Sequence, residues 1–380
     1  MPNFCAAKAE RMAKLHLTQV GHPFNPIGTG RATRLVFSSA RAAGIDMAVR
    51  DVYNFQTPET AQAREILPFV TTSFGPVNLF HLNGDEIEPA LNHLGGMPDG
   101  YNIVAPFWEL PHFPNEWAAQ VNRFNEVWAP SAFVRDAVAA AVDIPVLHMK
   151  LATEVAVDGF INRRHFGIPE DSFAFFTFFD GRSYMARKNP QAVVACFRRL
   201  VAARPFARTV LVIKLHGGEN APEELRRFLA GIEDLAGRVV VLQATMPEDQ
   251  VHNLIRDCDA FVSLHRSEGF GLGLAEAMFL GKPVIGTGWS GNMDFMTAEN
   301  SYPVPYELVP VPAGAYPHAS GQTWAEPDLG PATAAMLALV DDPAAARALG
   351  AKASRDMRIK HSYRAAGLRY AARLSEITGP

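Results

Sequence analysis

Short apolar runs alternate with longer amphipathic stretches along nearly the whole 380-residue chain. In the first half, Leu15–Val20, Met47–Asp51, Val77–Leu82, Asn102–Pro106, Glu126–Ala129 and Val146–Met149 read as strands. Ala32–Ala43 and Ala132–Ala141 read as helices between them. In the second half the strand-like runs are Phe173–Phe179, Thr209–Lys214, Val239–Leu242, Ala260–Leu264 and Pro283–Gly286. Helical patterns at Gln191–Ala203, Pro222–Gly231, Glu248–Arg256 and Leu272–Leu280 separate these. The runs are β-branched and aromatic without polar alternation, as suits strands covered on both faces. Such alternation, twice over, predicts an α/β chain with two Rossmann-like, doubly wound parallel sheets.

The polar, proline-bearing segment Ile161–Asp171 is the predicted join, dividing the chain into 1–163 and 164–357. A proline-rich stretch, Tyr302–Pro331, precedes closing helices at Ala332–Ala338 and Ala344–Met357. Residues 358–380 form a final helical segment, expected to pack back on the N-terminal domain. Ligands of such sheets bind outside the carboxyl ends of the strands. With two sheets face to face the site is expected in the cleft between domains, so residues directly after strands are the informative ones.

Composition narrows the function classes. Net charge is −4, with no basic excess to neutralise a nucleic-acid backbone, so no nucleic-acid partner is expected. Cys5, Cys196 and Cys258 are an odd number without close spacing, which is neither a disulfide framework nor a zinc site. No apolar run reaches bilayer-spanning length, and no signal-peptide core follows Lys8, Arg11 and Lys14. The expected location is cytoplasmic, with peripheral membrane contact through a basic N-terminal helix left open.

The segment after Phe173–Phe179 reads "DGRSYMARKNPQAVV". Asn189 suits an N-cap and Pro190 the first helical position. Arg182, Arg187 and Lys188 then crowd a helix N-terminus, which is itself partly positive. An anion between them reverses the repulsion, each cation–phosphate pair being worth up to about 4 kcal/mol before desolvation. A solvated basic loop is the plainer alternative; position after a buried strand favours a diphosphate site. Lys214, ending the next strand in "LVIKLHGG", is a further candidate cation.

The segment after Ala260–Leu264 reads "HRSEGFGLGLAEAMFLGKPVIG". Gly269, Gly271 and Gly273 permit close backbone approach, and the helix that follows offers free N–H groups to phosphate. Gly269, Phe270, Gly271 and Leu272 are therefore donor-binding candidates. Glu276 sits between Leu272 and Leu280 on an apolar helix face, where a carboxylate needs donors. A ribose supplies two vicinal hydroxyls, and Glu268 could hold hydroxyls of a transferred sugar in the same way. Either glutamate alone would more simply bond to protein or face water. Two of them, with seven residues between, straddling a glycine loop after a buried strand, are uncommon by chance.

Here "SEGFGLGLAEAMFLGKPVI" resembles the spaced-glutamate motif of the retaining glycosyltransferases of family 4, also called glycosyl transferases group 1. "GRSYMARKNP" resembles that family's diphosphate-binding segment, and "GWSGNMDFM" and "VWAPSAFVRDAV" are similar to its members. The resemblance covers most of Val77–Leu374. It implies a GT-B fold, two such domains facing across a cleft, with a nucleotide-diphosphate sugar as donor substrate, retention of configuration, and no metal or other cofactor. By the same resemblance Arg182 and Lys188 take the diphosphate, Glu276 the ribose and Glu268 the transferred sugar. The implied activity is hexosyl transfer to a saccharide or lipid-linked acceptor, as in polysaccharide biosynthesis.

The chain departs from that family where many members carry a histidine facing the donor sugar; here Asn102–Pro106 runs into "FWELPHF". Trp108 could stack on a sugar and Glu109 contact hydroxyls, or both could be structural. His81, and Gly30 in the first strand–helix turn, are further candidates for sugar or acceptor contacts. A nicotinamide dehydrogenase is the first rival, but Gly269-x-Gly271-x-Gly273 is not Gly-x-Gly-x-x-Gly, and no acid follows Ile285-Gly286-Thr287. Asp257-Cys258-Asp259 resembles a manganese-chelating pair but sits before its strand, and reads as a connector. A non-catalytic sugar-nucleotide-binding protein on the same fold is the remaining alternative.

Overall fold

The computed structural model describes residues 15–25, 28–53, 61–157, 159–181, 184–216, 222–244 and 246–379. Lys8, Arg11, Lys14 and Arg182 lie outside the described residues. The chain divides into two compact units, with boundaries at Glu154/Val155 and Met357/Arg358.

In the first unit β1 (His16–Gly21), α1 (Gly28–Ala42), β2 (Asp46–Asp51), α2 (Ala61–Ile66), β3 (Val77–Phe80) and α3 (Ile87–Leu94) follow in order. Then come β4 (Tyr101–Val104), α4 (Asn115–Val121), β5 (Glu126–Ala129), α5 (Ala132–Ala139) and β6 (Val146–His148). The six strands are all parallel, in the order β2-β1-β3-β4-β5-β6.

The second unit contains β7 (Phe173–Asp180), α6 (Met185–Lys188), α7 (Pro190–Ala203), β8 (Thr209–His216), α8 (Pro222–Ala230) and β9 (Val239–Leu242). It continues with α9 (Glu248–Asp257), β10 (Ala260–Ser263), α10 (Leu272–Phe279), β11 (Val284–Thr287) and β12 (Tyr302–Val304). A hairpin of β13 (Tyr306–Pro310) and β14 (Thr323–Pro327) precedes α11 (Leu329–Asp341) and α12 (Pro343–Lys360). The main sheet is again all parallel, in the order β12-β11-β10-β7-β8-β9. The last helix, α13 (Tyr363–Thr378), belongs to the first unit.

Two doubly wound parallel sheets are thus present, and the predicted strands lie within one or two residues of the observed ones. β7 is buried because Phe175, Phe176 and Phe179 leave it no polar face. Helix α7 covers it with Val193, Cys196, Phe197 and Leu200, which recur at helical spacing. The proline-rich stretch holds more order than its composition suggests. Pro310 and Pro327 end the two strands of the ribbon and Pro303 lies on β12, an edge strand, where a missing N–H costs least.

The predicted join lies inside the second unit instead of between units. There Arg163 donates to the Asp257 carbonyl at 2.8 Å and pairs with Asp259 at 2.7 Å. Its polar residues tie the segment to α9 and β10, which is why it looked like a linker. Asp259 also accepts from the Ala174 N–H at 2.7 Å, a structural use at the amino end of β10.

In the first unit α13 lies against α1 so closely that a Cβ on Gly367 would fall 2.0 Å from the Ser39 carbonyl oxygen. Tyr370 stacks on Trp128 with ring centroids 5.2 Å apart. Arg373 pairs with the fully buried Glu126, which also accepts from Tyr101 and Trp128.

Candidate functional site

The basic segment after β7 is bent by two left-handed residues. Helix α6 is a single turn, entered through Tyr184 (φ 63°) and left through Asn189 (φ 50°). Asn189 is therefore not the side-chain cap expected of it. It ends one turn while beginning the next helix, a left-handed position that asparagine tolerates and where its side chain makes no cap bond. Pro190 does occupy the first turn of α7.

This bend turns the cations toward the loop after β10. Arg187, only 4% exposed, donates through Nη1 to the Ser267 carbonyl at 2.7 Å and lies 3.4 Å from Glu268 Oε2. Lys188 Nζ meets Glu268 Oε1 at 2.5 Å. The Arg187 guanidinium also sits 5.6 Å from the centre of the Tyr316 ring. The two segments are 80 residues apart in the chain, but β7 and β10 are hydrogen-bonded neighbours, so their following loops meet. Burial pushes the Glu268 carboxyl up; the charges of Lys188 and Arg187 outweigh it and bring it down to about 2. Glu268 is an anion at neutral pH, with both oxygens facing cations.

The loop is locked from β11. Ser290, at φ 75°, accepts the Glu268 N–H at 2.9 Å. Gly291 donates to the Glu268 carbonyl, and a Cβ there would fall 2.1 Å from the Gly269 carbonyl oxygen. His265 is wholly buried between Ser263 (3.1 Å) and Asn292 (3.0 Å), and burial holds it below its ordinary pKa. Arg266 bridges elements, donating to the Ala186 carbonyl and to both Glu326 oxygens on β14. Sequence reasoning assigned nothing to Ser290, Asn292, His265 or Arg266. The first two lie in the quoted "GWSGNMDFM" but carried no individual signal, and the acid that partners Arg266 lies 60 residues further along.

The glycines divide their duties. Gly271, at φ 91°, needs its left-handed conformation to start α10. Gly273 is instead a packing glycine: a Cβ there would stand 2.6 Å from the Phe178 ring. Phe270 is a core residue with its ring against Phe295, so only its backbone can serve a ligand, and Leu272 is half-buried. Glu276 is buried, with His252 Nε2 on α9 at 3.5 Å from its Oε1. Lys214 does not end its strand. It is buried inside β8 in register with Phe178, because β8 runs on to His216.

In the first unit Trp108 is not a sugar platform. It is 1% exposed, donates to the His112 carbonyl at 3.0 Å and packs edge-on against Trp117 at 5.0 Å, anchoring its loop. Glu109 beside it is partly exposed. Gly30 lets α1 close on the preceding loop, since a Cβ would lie 2.1 Å from the Asn25 carbonyl oxygen. His81 is buried, with Gln19 Nε2 at 2.7 Å from its Nε2; burial, then His22, lower its pKa to about 3. It lines a small apolar cavity of about 20 Å³ with Leu79, Phe107 and Trp128.

Comparison with known proteins defines the class. The fold is that of the GT-B glycosyltransferases, and with the matching family model it makes this chain a glycosyltransferase. The model is that of Glycosyl transferases group 1, and it matches residues 175–309, from β7 into β13. HepE of Anabaena, solved in complex with UDP and glucose, is similar at TM-score 0.66 and 12% identity, over 95% of this chain and 100% of that one. Sucrose-phosphate synthase from Thermosynechococcus elongatus is similar at TM-score 0.68 and 15% identity, over 96% and 99%. A glycosyltransferase from Rickettsia africae gives 0.66 and 11%, over 96% and 99%. No curated protein sequence matches the chain.

Proposed function

We propose that the chain is a retaining hexosyltransferase moving a sugar from a nucleotide-diphosphate sugar to a saccharide or lipid-linked acceptor, acting in polysaccharide biosynthesis in the cytoplasm. The observation that carries this reading is the meeting of Lys188 and Arg187 with Glu268 beyond the carboxyl ends of β7 and β10. One buried cation, Arg187, one half-buried cation, Lys188, and one acid there leave a positive balance that a diphosphate would answer. HepE was solved with UDP-glucose, which makes UDP the first nucleotide to test.

Breaking the bond to the anomeric carbon leaves negative charge on the diphosphate. Lys188, Arg187, Arg182 and the N-terminus of α7 take up that charge, preorganised and without a metal ion. Glu268 contacts the transferred sugar and Glu276 the ribose. The acceptor binds to the first unit, and peripheral membrane contact would suit a lipid-linked one. No described helix is long and apolar enough to cross a membrane.

The test is a thermal-shift series with UDP, ADP, GDP and CDP, followed by turnover of labelled sugar nucleotides of the best base. A shift with one diphosphate and transfer of label to an added saccharide are the expected results. Binding without any transfer to saccharide or lipid-linked acceptors would make the protein a non-catalytic binder.

A further inference from the structure

Helix α6, which carries Arg187 and Lys188, is four residues long, and a single turn has no stability of its own in water. It starts at Tyr184, whose φ of 63° is one that a bulky side chain adopts only at a cost. The Tyr184 carbonyl accepts from the Arg187 N–H at 3.0 Å and from the Lys188 N–H at 3.2 Å, so the strained residue is also the one that closes the turn. Contacts from outside must therefore hold the two cations in place.

Two of those contacts come from the β13–β14 ribbon. The first is Tyr316, in the loop between the strands. Its ring centre lies 5.6 Å from the Arg187 guanidinium, and it meets the Tyr184 ring edge-on at 4.9 Å and 66°. One aromatic side chain thus touches both the strained start of the turn and the buried cation within it. The loop is itself braced: the Val311 N–H donates to the Gln322 carbonyl at 2.9 Å, and the Gln322 N–H to the Ala319 carbonyl at 3.1 Å.

The second contact is Glu326 on β14, acting through Arg266. The carboxylate accepts a fork of two bonds, from Nε at 2.6 Å and from Nη2 at 3.1 Å, while the Trp324 ring centre lies 5.4 Å from the same guanidinium. That orientation aims Nη1 at the Ala186 carbonyl, 2.5 Å away on α6. The backbone repeats the link. The Arg266 N–H donates to the Arg187 carbonyl at 2.7 Å, and the Arg266 carbonyl accepts the Ala325 N–H at 2.9 Å. The residues matched by the family model end at Val309, so Tyr316, Trp324 and Glu326 all lie beyond them.

We infer that this ribbon is the positioning device of the diphosphate site: Tyr316 sets the pose of Arg187, and Glu326, through Arg266, sets the turn that carries Lys188. The donor role of the two cations rests on the transferase reading above; the ribbon's grip on α6 does not.

Isothermal titration of the full chain with UDP, ADP, GDP and CDP tests it, together with amide hydrogen exchange over residues 184–189. Tyr316→Leu and Glu326→Ala should each weaken the best diphosphate about tenfold, as loss of a desolvated cation–π contact or of a charge-assisted pair does. Tyr316→Phe should bind as the wild type does, because the ring and not the hydroxyl meets the guanidinium. The parent nucleoside, which has no phosphate, should bind alike in every variant. Exchange at 184–189 should be faster in Tyr316→Leu and Glu326→Ala than in the wild type. Unchanged diphosphate affinity in both, an equal loss in Tyr316→Phe, or nucleoside affinity lowered by the same factor overturns the inference. Should Tyr316→Leu fail to fold, Glu326→Ala carries the test, because that side chain is 41% exposed. A wild-type chain that binds none of the four diphosphates defeats the donor reading. Exchange alone then decides the grip: faster exchange in the variants supports it and unchanged exchange overturns it.

Discussion

Glu268 faces two positive charges, and its titration is the most direct signature of the site. A carboxyl displaced from 4.5 to about 2 is worth about 3 kcal/mol of stability at neutral pH. The sign follows from the depressed native value. The contribution is complete above the unfolded value near 4.5 and is lost as pH falls toward 2. Unfolding free energy measured in urea should therefore drop through that window, and Glu268→Gln should flatten the drop; an unchanged slope would remove Glu268 as its source. For Lys188→Ala we expect kcat lower by ~10²-fold or more, the usual loss for a transition-state donor. Steady-state kinetics decide it, since unchanged turnover would take Lys188 out of the mechanism. Glu276→Ala should chiefly raise the nucleotide Kd. A normal Kd would remove Glu276 from the ribose and leave it a structural acid, as its contact with His252 allows.

At the scale of elements, two contacts set the positions on which the chemistry depends. Helix α10 is seated on the sheet through Gly273, so Gly273→Ala should cost roughly 1–3 kcal/mol by overpacking against Phe178. Chemical denaturation would show it, and a neutral result would mean that the Phe178 ring simply moves aside. Helix α13 is pinned to the first sheet by Arg373 on the buried Glu126. Arg373→Ala leaves that carboxylate uncompensated and should destabilise by roughly 3–5 kcal/mol. The double variant Arg373→Met, Glu126→Leu should recover much of the loss, which separates the buried charge from the packing. Fixed elements of this kind also explain why the loops after β7 and β10 meet at definite distances.

For the whole molecule, any ligand that binds only the folded state raises its stability by about 2.7 kcal/mol at a hundredfold excess over Kd. A nucleoside diphosphate should therefore raise the unfolding temperature of the wild-type chain and do so much less in Lys188→Ala. Equal shifts in the two would place the nucleotide away from Lys188. With two compact units, scanning calorimetry should be read for more than one transition before a single Tm is quoted.

Much of this was legible in the chain because it depends on local pattern. Apolar runs such as Glu126–Ala129 and Val239–Leu242 show their strand character without reference to anything distant. The cations after β7 and the acid after β10 could be singled out, because residues just beyond strand ends are where such sheets bind ligands. What lay beyond sequence was which candidates face one another. Trp108 and Gly273 looked like site residues and are packing residues, since only the folded neighbours Trp117 and Phe178 show what fills the space beside them. Asn189 looked like a cap and is a left-handed hinge, because two short-range preferences collide there. The pairing of Lys188 with Glu268 was decided by strand order alone. Backbone hydrogen bonding between parallel strands fixes that order, and no local stretch of side chains encodes it.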